Sequence, residues 1–109
     1  MPISIGIMIR FIAILSIVIA GAAEARVPLH PPAEFVHPYP GPFEEWSLPI
    51  REVRKNCVKF LGHRAREARG CAVYRGMKCL IIYPNTPYRG IDPLDIRRHE
   101  LAHCNGWKH

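Results

Sequence analysis

No two cysteines in this 109-residue chain stand close enough to form a CxxC pair: Cys57, Cys71, Cys79 and Cys104 are never fewer than eight positions apart. That spacing weighs against zinc ribbons and related structural zinc modules, which use close pairs. No internal repeat is present, so repeat architectures are excluded. Acidic residues are scarce, 9 Asp and Glu against 15 Lys and Arg, giving a formal net charge of +6. The basic residues are scattered from Arg51 to Lys108 among acids and lack the interleaved aromatics that stack on bases. No nucleic-acid partner is therefore expected. The positive excess reads instead as a basic soluble surface, or as electrostatic attachment to a cell envelope. No cysteine lies near residues 20–25, so a lipid-modified N-terminus is not indicated.

What is present begins with an apolar run from Phe11 to Ala20, preceded by Arg10 and followed by the small residues of Ala20-Gly21-Ala22 and Ala23-Glu24-Ala25. This three-part layout predicts a secretory signal peptide over residues 1–25, with the start at Met1 or Met8. An uncleaved membrane anchor is the alternative, and only then does a membrane partner enter. The expected location is therefore periplasmic or secreted. In an exported chain this short, four cysteines predict two disulfides, with three pairings open. A second metal site is the competing reading of the same residues.

Residues 26–48 hold Pro28, Pro31, Pro32, Pro38, Pro40 and Pro42 and read as an arm or linker, a candidate docking segment for a partner protein. His30 and His37 within it read as solvated. Residues 49–109 are left as one small domain, whose core is expected to be thin. A helix is predicted from Pro49 to Leu61, capped by Ser47 and ended by Gly62. Ile50, Val53, Cys57, Val58 and Leu61 form its apolar stripe. Cys71–Tyr74 and Cys79–Tyr83 read as a β-hairpin around residues 75–78, with the 79–83 edge available to an extended peptide. Asp92 and Pro93 start a last helix running to about Cys104, with Leu94, Leu101 and Cys104 toward the core. The fold class is α+β: a small disulfide-stabilised domain of two main helices and a hairpin, with the active-site helix at the C-terminus.

The chemistry concentrates in residues 99–109, which spell HExxHxxGxxH. His99 and His103, four apart, point the same way on a helix. Glu100 leans toward the edge of that face, where it can reach a water on a metal without ligating the metal. Gly106 lets the chain leave the helix sharply, and His109 can return as a third nitrogen ligand. Three protein ligands with one open position is the arrangement of catalytic zinc. Cys104, beside His103, reads as a disulfide cysteine tying this helix down. Trp107 reads as packing for the turn between Gly106 and His109.

These eleven residues resemble the zinc-binding consensus of the metzincin metallopeptidases. The resemblance implies that His99, His103 and His109 hold Zn2+ and that Glu100 is the general base. The substrate would be a peptide or protein. It covers residues 99–109 alone; the family's Met-containing turn, which follows the third His, has no counterpart here, and Met77 lies upstream. Tyr83 and Tyr88 are conceivable oxyanion donors that spacing does not support. The alternative function is a non-enzymatic, disulfide-stapled secreted module with a structural or adventitious metal.

Overall fold

A computed structural model describes residues 28–109; the signal-peptide or anchor segment predicted over residues 1–25 lies outside the described residues. The elements are β1 (Phe43–Leu48), α1 (Ile50–Leu61), β2 (Cys71–Arg75), β3 (Lys78–Pro84) and α2 (Pro93–Cys104), with single 3-10 turns at Ala33–Phe35 and His63–Ala65. The three strands form one sheet in the order β1-β3-β2. β2 and β3 are the expected hairpin, antiparallel with Tyr74 opposite Cys79. β1 runs parallel to β3, Phe43 opposite Cys79 and Leu48 opposite Pro84.

The reading of residues 26–48 as an arm is corrected here, because its last six residues are an edge strand of the sheet. Pro42 and Pro49 flank that strand where no backbone N–H is required of them, and the Pro42 carbonyl accepts from the Cys79 N–H at 2.9 Å. The domain therefore begins before residue 49. A second correction follows from the same strand. β3 lies between two neighbours, so its edge is closed to an added peptide, and β2 is the edge strand opposite β1.

β3 explains the apolar run Cys79-Leu80-Ile81-Ile82-Tyr83. Both faces of the sheet are covered, and a strand buried on both faces reads as continuous hydrophobic sequence. Leu80 and Ile82 pack with Val53, Cys57, Ala65 and Cys71 on the α1 side. Cys79, Ile81 and Tyr83 pack with Ile96 and Cys104 on the α2 side. Each face carries one staple: Cys57–Cys71 joins α1 to β2, and Cys79–Cys104 joins β3 to the end of α2. All four cysteines are thus paired and none is free.

α1 matches its expected span, buries Val53 and Cys57, and ends at Gly62, whose φ of +86° places it in the region that glycine tolerates. Its start differs from expectation. Pro49 occupies the N-cap with no side-chain bond, so Ser47 caps nothing and remains in β1. In α2 the buried positions are Ile96, His99, Glu100, Ala102 and Cys104. Leu94, expected in the core, is 61% exposed, because the stripe facing the sheet runs through Ile96 instead. The molecule is a small α+β domain with two disulfides and a C-terminal helix. Two disulfides point to an oxidising compartment. Among the described residues no helix is long and apolar enough to cross a membrane.

Candidate metal centre

α2 carries the site and is fixed at both ends. Asp92 Oδ1 accepts from the Leu94 backbone N–H at 2.9 Å, and Pro93 occupies the first turn. At the other end the Gly106 N–H donates to the His103 carbonyl at 3.0 Å and the Trp107 N–H to the Ala102 carbonyl at 3.1 Å. That pair of bonds is the Schellman arrangement, and it needs Gly106 at its φ of +100°. The chain then reverses, which brings His109 back over the helix. Along the length of α2, Arg97 donates from Nε and Nη2 to Glu45 Oε2 at 3.1 and 2.8 Å, and the Tyr83 hydroxyl donates to Glu45 Oε1 at 2.8 Å. Helix and sheet are tied together two residues before the motif.

His99, His103 and His109 converge through their Nε2 atoms. The three separations are 3.3 Å between His99 and His103, 3.4 Å between His99 and His109, and 3.0 Å between His103 and His109. Three nitrogens about 2.0–2.1 Å from one ion at tetrahedral angles stand about 3.3 Å apart. The spacing fits.

The proton inventory points the same way. His99 Nδ1 donates to the Leu29 carbonyl oxygen at 2.8 Å, and His103 Nδ1 donates to the Trp107 carbonyl oxygen at 2.7 Å. A carbonyl can only accept, so each neutral ring carries its proton on Nδ1 and turns a bare Nε2 lone pair inward. Two lone pairs 3.3 Å apart cannot bond each other; they call for a shared cation. Protonation of His99 does not supply it, because burial pushes its pKa down to about 4, helped by the charges of His103, His109 and Arg69 against the opposing Leu29 bond. Burial also lowers His109. The three imidazoles form a group that could hold a metal ion.

Trp107, 7% exposed, supports all three rings. It stacks on His103 at 5.0 Å between centroids and meets His99 and His109 edge-on at 4.9 and 5.0 Å. It packs the turn as expected and lies against every candidate ligand as well. Met77 is 82% exposed at the hairpin tip and takes no part.

Glu100 is only 6% exposed, unlike an ordinary helix-surface acid. Its Oε1 lies 3.9 Å from His99 Nε2, beside the ligand group and outside it. Burial raises its carboxyl to about 8, with the Arg69 charge acting in the opposite direction. Gly70 makes room for it: a Cβ there would stand 2.8 Å from Ile96 Cγ2 and 3.1 Å from Glu100 Cγ. The site opens onto a cleft of about 760 Å³, lined in part by the start of β2, Tyr88 and three arginines. Of the two tyrosines considered from sequence, Tyr88 faces this cleft, whereas Tyr83 is buried against Glu45.

The structure brings His99, His103 and His109 together and places Glu100 beside them. The fold adds participants that the sequence did not single out. Leu29 acts through a backbone carbonyl seventy positions away, and Gly70 acts through the absence of a side chain. His30 and His37 are exposed and stay apart from the cluster. Nor are residues 28–42 a loose arm, since Asn105 Nδ2 donates to the Phe35 carbonyl at 3.0 Å and to the His37 carbonyl at 2.6 Å. No protein-family model matches the chain, and neither a curated protein nor a solved structure does.

Proposed function

We propose that the chain is an exported, zinc-dependent hydrolase of peptide bonds. The observation that carries this reading is the convergence of three Nε2 lone pairs with a buried, non-ligating carboxylate, Glu100, at their edge. The resemblance of residues 99–109 to the metzincin consensus supports the choice of zinc and of peptides. So does the all-nitrogen donor set, since neutral imidazole suits Zn2+ whereas harder ions prefer oxygen ligands. The two disulfides support export to an oxidising compartment.

When bound, zinc held by three protein ligands supplies Lewis acidity and a water of lowered pKa. His99 and His103 are held for that task by the Leu29 and Trp107 carbonyls, which fix their tautomers and ring orientation. With a cation held beside it, which would draw down the carboxyl that burial alone raises to about 8, Glu100 would accept the attacking water's proton at its carboxylate and deliver it to the leaving nitrogen. Its burial keeps bulk water from competing for that proton and holds the carboxylate at one edge of the ligand group. β2, with its free edge beside the cleft, replaces β3 as the strand along which an extended peptide could run.

The test is cleavage of a denatured protein by oxidised, zinc-loaded chain beside its Glu100→Gln variant. The expected outcome is retained zinc with a loss of about 10²- to 10⁴-fold in rate. Equal cleavage by both proteins, or none by either, overturns the hydrolase reading and leaves a non-enzymatic metal-binding module.

A further inference from the structure

The cleft beside the His group is built with a charge that hydrolysis does not require. Arg64, Arg69 and Arg89 line it, brought together from the turn after α1, the approach to β2 and the loop after β3. Glu67 and Glu100 are the acidic side chains on the same wall. Three cations elsewhere on the surface pair with acids, Lys78 with Glu44, Arg97 with Glu45 and Arg98 with Asp95. Among the described residues, no ion pair involves Arg64, Arg69 or Arg89.

Arg89 carries a second mark. At φ +49° it is the one described non-glycine residue with a positive φ, and Gly90 follows at φ +78°. A long side chain in the left-handed region is unfavourable, and strained backbone of this kind concentrates where a ligand is held. The Arg89 guanidinium lies 5.3 Å from the centre of the Tyr88 ring, itself part of the cleft wall. Tyr88 is in turn fixed by Arg54, which donates to its hydroxyl and lies 5.3 Å from its ring centre on the side of α1. Arg89 therefore has an aromatic surface to rest on and donors left for something else. A guanidinium offers five N–H donors in a fork that matches a carboxylate.

We propose that this cleft binds a carboxylate of the peptide substrate, so that the scissile bond is presented to the His group next to an acidic side chain. The inference rests on the hydrolase reading for its substrate, although binding can be measured without turnover. A free C-terminal carboxylate has the same chemistry, and the probes separate the two sources.

The experiment uses zinc-loaded Glu100→Gln protein with intact disulfides and three fluorescent ten-residue peptides, read by anisotropy at low ionic strength. One peptide carries a central Asp-Glu pair and a C-terminal amide. A second is neutral with a free C-terminal carboxylate, and a third is neutral and amidated. Charge-assisted hydrogen bonds of this type predict about ten- to a hundredfold tighter binding of a carboxylate peptide than of the neutral amide. Tighter binding of the first peptide assigns an acidic side chain; tighter binding of the second assigns a chain end and overturns the side-chain form. Arg69→Gln and Arg89→Gln should each remove most of the preference, while Arg98→Gln, which lies outside the cleft, should keep it. Equal binding of all three peptides, or equal loss in Arg98→Gln and Arg69→Gln, overturns the proposal. If the preference holds while wild type cleaves nothing, the hydrolase reading falls and the carboxylate cleft stands.

Discussion

Removing the two disulfides one at a time should separate stability from metal binding, because the staples lie on opposite faces of the sheet. Cys57–Cys71 spans 14 residues and Cys79–Cys104 spans 25. Chain-entropy arithmetic gives about 3 kcal/mol for the shorter loop and about 3.5 kcal/mol for the longer. For a domain of this size each kcal/mol moves Tm by about 4–8 °C, so each Cys→Ala pair should lower Tm by about 12–28 °C in the metal-free protein. The metal should respond to one pair only. Cys104 follows His103 and holds the last turn of α2 to β3, so its loss lets the His103–His109 segment fray. Cys57 and Cys71 lie in the cluster on the α1 side. The assay is a thermal scan with chelator present, then a zinc competition titration at 10 °C, where both variants remain folded. Cys79→Ala/Cys104→Ala should bind zinc at least about ten times more weakly than wild type, in the range seen when supports of a metal ligand are lost. Cys57→Ala/Cys71→Ala should bind it within about twofold of wild type. A Tm change below about 5 °C in both pairs, or equal loss of zinc affinity in both, refutes the reasoning.

Two further outcomes follow from the surroundings of Glu100. Gly70→Ala places a Cβ 2.8 Å from Ile96 Cγ2 and 3.1 Å from both Glu100 Cγ and the Ile82 carbonyl oxygen. Overpacking of that kind costs about 1–3 kcal/mol, so the urea midpoint should fall, and an unchanged midpoint would contradict the close approach. In the metal-free protein Glu100 is raised to about 8 from 4.5, so its contribution to stability is present below pH 4.5 and is lost as pH rises through 8. His99, lowered to about 4 from 6.5, acts in the other direction, and its stability is lost as pH falls from 6.5 toward 4. Between pH 6.5 and 8 the Glu100 loss stands alone and amounts to about 2 kcal/mol. Unfolding free energies measured across that window should decline in wild type and stay level in Glu100→Gln; a parallel decline in both contradicts the assignment.

The parts of this domain legible in sequence are those specified over a few residues. Asp92, Pro93 and Gly106 mark the start of α2 and the turn beyond it, and the spacing of His99, His103 and His109 specifies their convergence. The parts that were not legible depend on contacts between distant segments. Phe43–Leu48 is hidden among prolines, and nothing local shows that it pairs with a strand 36 residues later, as Phe43 does with Cys79. Without β1 as a partner β3 reads as an edge, although its unbroken apolar run is the signature of a strand covered on both faces. Leu94 lies two positions before Ile96 and on nearly the opposite side of the helix, and the mixed polarity of that first turn does not show which of the two faces the sheet. Leu29 contributes a backbone atom, which no side-chain pattern can announce.

The central claim is that three imidazoles hold one zinc and leave one position open. X-ray absorption on zinc-loaded, fully oxidised protein, with metal content measured in parallel, tests it most directly. One zinc per chain is expected, surrounded by three imidazole nitrogens and one further light atom at about 2.0–2.1 Å, with no sulfur. Loss of that zinc is expected in His99→Ala/His103→Ala. A sulfur neighbour at about 2.3 Å, or one zinc per chain retained in the double variant, would contradict it.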